Sequence, residues 1–187
     1  MKTFLKNRYC FILATLTFAL GACSDDTPTA STSTEVTNEE LQINKEEAVK
    51  QLKEKGISED SYNSSLRSAV NDGDAELVKL LLQAGATAKE ADIYSTYPLV
   101  ISAVMQNNPD ILKLLLDFKS NPDIQNSIGQ TPLMIAVKTG NNDMVELLIQ
   151  AGADVNKQDI YGRTAYSYAR GTENETALQR IQAAGGK

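Results

Sequence analysis

Apolar positions along the last two thirds of the chain fall into blocks that step by 33 or 34 residues. Leu66, Leu99, Leu133 and Tyr166 lie 33, 34 and 33 apart. The triplets Leu80-Leu81-Leu82, Leu114-Leu115-Leu116 and Leu147-Leu148-Ile149 lie 34 and 33 apart. Gly85, Gly152 and Gly185 close three blocks, and Lys119 holds that slot in the other. Such a period belongs to stacked repeats, in which each unit buries its apolar face on the next. The block from Thr131 predicts the unit. Thr131 offers an N-cap oxygen, and Pro132 suits the first helical position, where no N–H is needed. A short helix runs to Gly140. Asn142 or Asp143 can cap a second helix, Met144 to Gln150, which ends at Gly152 in the left-handed backbone that glycine enters freely. Ala153-Asp154-Val155-Asn156 leads to a turn around Ile160-Tyr161-Gly162, and Thr164 opens the next unit. Ahead of the array, Asn44 to Lys55 reads as one more helix. Asn44 and Glu47 have capping-box spacing, Ala48, Val49 and Leu52 share a face, and Gly56 stops it. It is expected to cover the first unit, because Ile43, Leu52 and Ile57 would otherwise be wet.

The unit resembles the ankyrin repeat, whose signature is T-P-L-H-x-A, a glycine, a leucine-rich second helix and G-A-D-V-N. Residues 129–156 match it most fully. Gly162 to Arg170 with Ala183-Ala184-Gly185 looks like a C-terminal cap of that family, and Leu66, Ala69, Gly73, Leu77 to Leu82 and Ala84-Gly85-Ala86 also fit. The second unit departs most, with Tyr97-Pro98-Leu99, one extra residue near Gln106, and Lys119 in the glycine slot. The chain has no histidine. Met134 takes the place of the family's His, so the loop hydrogen bonds of that His cannot form. The resemblance implies an all-α ankyrin-repeat solenoid with projecting β-turn tips, four repeats over 61–187 and an N-terminal capping helix in 39–60.

Residues 1–22 are of another kind. Lys2, Lys6 and Arg8 precede an apolar stretch, Tyr9 to Leu20, too short to span a bilayer comfortably. Leu20-Gly21-Ala22-Cys23 follows. A basic start, a short apolar core and small residues read as an export signal, and the cysteine at its end makes it look like a bacterial lipoprotein signal. That resemblance implies lipid on Cys23 as the first mature residue, with Ser24 rather than aspartate next, hence an outer-membrane anchor facing the periplasm. Residues 23–38, rich in Ser, Thr, Asp and Pro, read as a flexible tether with a reach of about 20 Å.

Charge and composition narrow the function. The net charge is −6. Loss of the signal removes Lys2, Lys6 and Arg8 and no acid, which argues against nucleic acid and against adhesion to anionic lipid. Of two cysteines, Cys10 leaves with the signal and Cys23 is lipidated, so core burial alone must hold the domain. Without His or a free Cys there is no Ser-His-Asp triad, thiol nucleophile or ordinary zinc or haem site, and no phosphate-binding glycine pattern is present. Asp72-Gly73-Asp74 is better read as a helix-to-helix turn than as a calcium loop. No enzyme, cofactor, metal site or small-molecule substrate is expected.

The resemblance implies a non-catalytic module that binds one protein partner through its concave face. Transferring the family's geometry picks out Ile93, Tyr94 and Thr96 in the second tip, Ser127, Ile128 and Gln130 in the third, and Ile160, Tyr161 and Arg163 in the fourth. On the first helices it picks out Val104, Met105, Lys138 and Thr139. Asp92-Ile93-Tyr94 and Asp159-Ile160-Tyr161 repeat the same sequence, so the tips should form a row with Ile128 between them. Tyr and Arg are enriched where binding energy concentrates. The alternatives are an immunity or inhibitor lipoprotein, whose acidic charge would steer a basic effector, and an envelope scaffold or protective factor.

Overall fold

A computed structural model describes residues 38–88 and 97–187, with side chains from Asn44 onward. The export signal, the tether as far as residue 37 with Cys23, and Ile93, Tyr94 and Thr96 lie outside the described residues, and Asn38, the last tether position, is the first residue of a helix. Regular structure among the described residues is helical: α1 (Asn38–Glu54), α2 (Tyr62–Asp72), α3 (Ala75–Ala84), α4 (Leu99–Met105), α5 (Pro109–Asp117), α6 (Pro132–Lys138), α7 (Asn142–Gln150), α8 (Ala165–Gly171) and α9 (Glu175–Ala183). They form two rows. The first helices α2, α4, α6 and α8 pack in sequence, as do the second helices α3, α5, α7 and α9, and α1 joins the second row against α3.

One device makes each helix pair. One or two residues past each first helix the backbone turns left-handed, at Gly73, Asn107, Gly140 and Glu173, with φ of 75°, 56°, 75° and 55°. The next residue closes one helix and opens the other. Asp74, Asn108, Asn141 and Asn174 donate their N–H groups back to the carbonyls of Ala69, Ala103, Ala136 and Ala169. Their side-chain oxygens accept from the N–H groups of Leu77, Ile111, Met144 and Ala177, at 2.9 to 3.1 Å. The cap of α7 is therefore Asn141, not Asn142 or Asp143: it is the Asn141 oxygen that accepts the Met144 N–H in the first turn. Second helices end alike: the N–H of Lys119 bonds to Leu116 and that of Ser120 to Leu115, as Gly152 and Ala153 bond to Ile149 and Leu148. Lys119 adopts φ +62° in the slot where its equivalents are glycine.

These landmarks correct the register of the second unit. The alanines that accept those N–H bonds are fully buried and step by 34, 33 and 33. Their small side chains let successive first helices approach closely. Val100, not Leu99, is thus the partner of Leu66 and Leu133. Pro98 stands where Thr131 stands, with an extended backbone (ψ 148°) and no side-chain cap. The extra residue falls between Gly85 and Val100, not near Gln106. A second correction concerns α1. It starts at Asn38, so Asn44 lies within the helix and caps nothing. Its buried face holds Ala48 and Leu52, with Val49 half-buried.

The apolar interior runs from Ala48 to Ile181 as one cluster. Leu66, Leu81, Leu115, Leu133 and Leu148 are among its fully buried side chains. Each buried leucine contributes about 1.5–3 kcal/mol relative to exposure.

Candidate partner-binding face

The third and fourth tips are built alike, from a short polar side chain that folds the backbone around itself. Asn126 Oδ1 accepts from the N–H groups of Ile128 (3.1 Å) and Gln130 (2.9 Å). Asp159 Oδ1 accepts from those of Tyr161 and Arg163, both at 2.9 Å. The two tips join where the Ile160 N–H donates to the Ile128 carbonyl at 3.2 Å. Gln125 adds a second tie through its amide to the Gln158 carbonyl, 3.0 Å. Gly129 is required at this junction. Its φ is +76°, and a Cβ there would lie 2.9 Å from the backbone nitrogen of Ile160.

The fourth tip carries a charged knot. Asp159 is buried, and its Oδ2 accepts from Arg163 Nε (2.9 Å) and the Tyr168 hydroxyl (2.8 Å), with a second Arg163 nitrogen at 2.8 Å. Burial alone would raise the Asp159 pKa, but the hydrogen bonds from Arg163, Tyr168 and Tyr161 outweigh it and lower it to about 2. The Tyr168 pKa is pushed up, first by burial and then by its bond to that carboxylate. The Arg163 guanidinium lies 4.7 Å from the ring centres of both Tyr161 and Tyr168. A cation over an aromatic face is attracted to it, so the half-exposed Arg163 holds the outer Tyr161 ring in place.

The residues expected to meet a partner divide. Val104 and Gln130 are 2% and 7% exposed and leave the set. Val104 packs into the core, and Gln130 Nε2 donates to the Tyr168 hydroxyl at 2.7 Å while its Oε1 accepts from Asn126. Met105, Ile128 and Lys138 come together with Thr139 in one groove of about 430 Å³, between the third tip and the first helices α4 and α6. Tyr97 and Ile135 also line it. Aligning Leu99 with Leu133 sets Tyr97 against the capping Thr131 and hides it from the face. In the corrected register it equals Gln130 and Arg163, the last residue of a tip. Ile160 and Tyr161 are exposed on the neighbouring tip.

Residues 100–181 match the family model for ankyrin repeats (3 copies). This stretch is an array of ankyrin repeats. The ankyrin region is 30% identical over 105 residues to an ankyrin repeat-containing protein of Treponema pallidum, covering 56% of this chain and 35% of that protein. It is 34% identical over 107 residues to the mouse B-cell lymphoma 3 protein homolog (57% and 24%) and 35% identical over 94 residues to the Arabidopsis thaliana E3 ubiquitin-protein ligase KEG (50% and 6%). The chain thus spans well under two thirds of these relatives. Ankyrin repeats are a protein–protein interaction module and are typically non-catalytic.

Proposed function

We propose that this chain is a lipid-anchored protein of the bacterial envelope whose ankyrin array holds a periplasmic protein partner in the groove between the third tip and the first helices. The groove itself carries the reading. Tyr97, Met105 and Ile128 are 44%, 54% and 39% exposed around one concavity rimmed by polar groups. Large apolar side chains grouped in this way are the material of interface centres. Tyr161, braced by Arg163, extends the surface to the fourth tip. The anchor is inferred from the basic start, the short apolar stretch and the cysteine at Leu20-Gly21-Ala22-Cys23.

A photo-crosslinking residue at Met105, compared with one at the exposed Lys113 on α5, tests the groove in intact cells. Crosslinks to protein from Met105 and not from Lys113 support it, and crosslinks from Lys113 alone would defeat it. Cys23→Ser tests the anchor. The variant is expected to leave the membrane fraction; if it stays there, the lipid reading is wrong.

A further inference from the structure

With the groove taken as the binding site, we infer that the partner segment it accepts is acidic and carries a large apolar side chain. The net charge of −6 points to a basic partner, but charge is not spread evenly over the array. Over residues 97–187, the third and fourth tips and the first helices hold Lys138, Lys157, Arg163 and Arg170 against one acid, Asp159. That acid is buried and bound to Arg163, so it offers nothing to a partner. The second helices and their connecting turns hold eight acids against four bases. The cause is local. Asp110, Asp143 and Glu175 occupy first turns of second helices, where the exposed N–H groups favour negative charge. α4 carries no charged residue, and α6 and α8 each carry one base in the last turn, Lys138 and Arg170, where the carbonyl end favours positive charge.

Screening makes the near charges decisive. At physiological salt, fields fade over about 8 Å. Lys138 is the one charged side chain that lines the groove among the described residues, so a segment lying there meets it directly, while Asp143 belongs to the adjoining cavity that shares Met105 and Thr139 with the groove. Lys138 is exposed at the groove wall and has no ion-pair partner among the described residues. A carboxylate on the segment completes Lys138, while its apolar side chain packs between Tyr97, Met105 and Ile128. A basic segment would meet an uncompensated like charge.

The test is selection of a displayed random 12-residue peptide library on the full chain, followed by fluorescence anisotropy of the enriched peptides on wild type, Met105→Asp and Lys138→Glu. Both positions are exposed, and circular dichroism checks that each variant keeps its helices. The expected peptides combine Asp or Glu with Leu, Ile, Phe or Met. They bind at least tenfold more weakly to both variants and weaken several-fold between 0.15 and 0.5 M salt. Peptides that need Met105 but are basic or uncharged, or that bind Lys138→Glu as well as wild type, overturn the inference and leave the groove standing. Peptides indifferent to Met105→Asp overturn the groove reading itself. A selection that yields no peptide dependent on Met105 overturns the inference.

Discussion

Replacing Lys119 by glycine should stabilise the protein. Lys119 has φ +62° at the end of α5, and the glycines at 85, 152 and 185 occupy the same slot in the other units. An L-residue in the left-handed region costs about 1–2 kcal/mol because its Cβ crowds the carbonyl oxygen. Glycine removes that cost but gives back about 0.5–1 kcal/mol through its greater freedom in the unfolded chain. The Lys119 side chain is exposed and has no ion pair among the described residues, so nothing else of size is lost. The balance is a gain of about 0.5–1 kcal/mol, or a melting temperature higher by about 2–3 °C for a domain of this size. The assay is thermal unfolding by circular dichroism with urea titration beside it. Two companions sharpen it. Gly152→Lys should lose a similar amount, since a Cβ at Gly152 meets nothing within 4 Å and only the backbone is penalised. Asn107→Gly should not stabilise, because asparagine tolerates the left-handed region and Asn107 Oδ1 accepts a hydrogen bond from the Asn141 side chain that glycine would lose. If Lys119→Gly fails to stabilise while Gly152→Lys costs nothing, left-handed strain is not what separates these positions, and the reasoning is refuted.

Asp159→Asn should remove a pH-dependent part of stability. The folded pKa is lowered from 3.8 to about 2, so wild-type stabilisation is complete above pH 3.8 and is lost as pH falls through 2. Acid titration by fluorescence or circular dichroism should show the variant less stable at pH 6 and closer to wild type near pH 2; a constant gap across that range would contradict the charged knot. Tyr62→Phe should raise stability by up to about 1 kcal/mol, because the Tyr62 hydroxyl is buried without a hydrogen-bond partner among the described residues; a loss in urea unfolding would mean that the hydroxyl is satisfied. Gly129→Ala should cost about 2 kcal/mol, combining left-handed strain with contact on the backbone of Ile160. Hydrogen exchange should then speed up at the Ile160 amide, and an unchanged rate would show that the tips do not depend on that close approach.

The repeat, the helix pairs and the left-handed strain at Lys119 were legible because each is written in residue type at a fixed step. What failed to read shows the limits of one chain. Leu99 stands out as a leucine, yet the column that fixes register is the quieter run of Ala69, Ala103, Ala136 and Ala169, whose carbonyls accept the N–H groups of the following caps. Glycine marked left-handed positions well, but Asn107 and Glu173 take that backbone without any such mark. At the candidate face, exposure of Met105, Ile128 and Tyr161 followed from the family's geometry. Burial of Gln130 did not, because it depends on Tyr168 in the next unit. Tyr97 was hidden by a one-residue misalignment.

The residue that both ends one helix and starts the next has a consequence for how such a chain can diversify. Asp74, Asn108, Asn141 and Asn174 each perform two hydrogen-bonding tasks with a single residue, one by the backbone and one by the side chain. An insertion there would separate the tasks and leave either an uncapped helix or an unclosed one. Length change is driven to the other connection, where the one extra residue of this array is in fact found. The spine of the molecule is therefore metrically fixed, and the tips are the part free to vary. New specificities can arise on the tips without refolding the helices behind them.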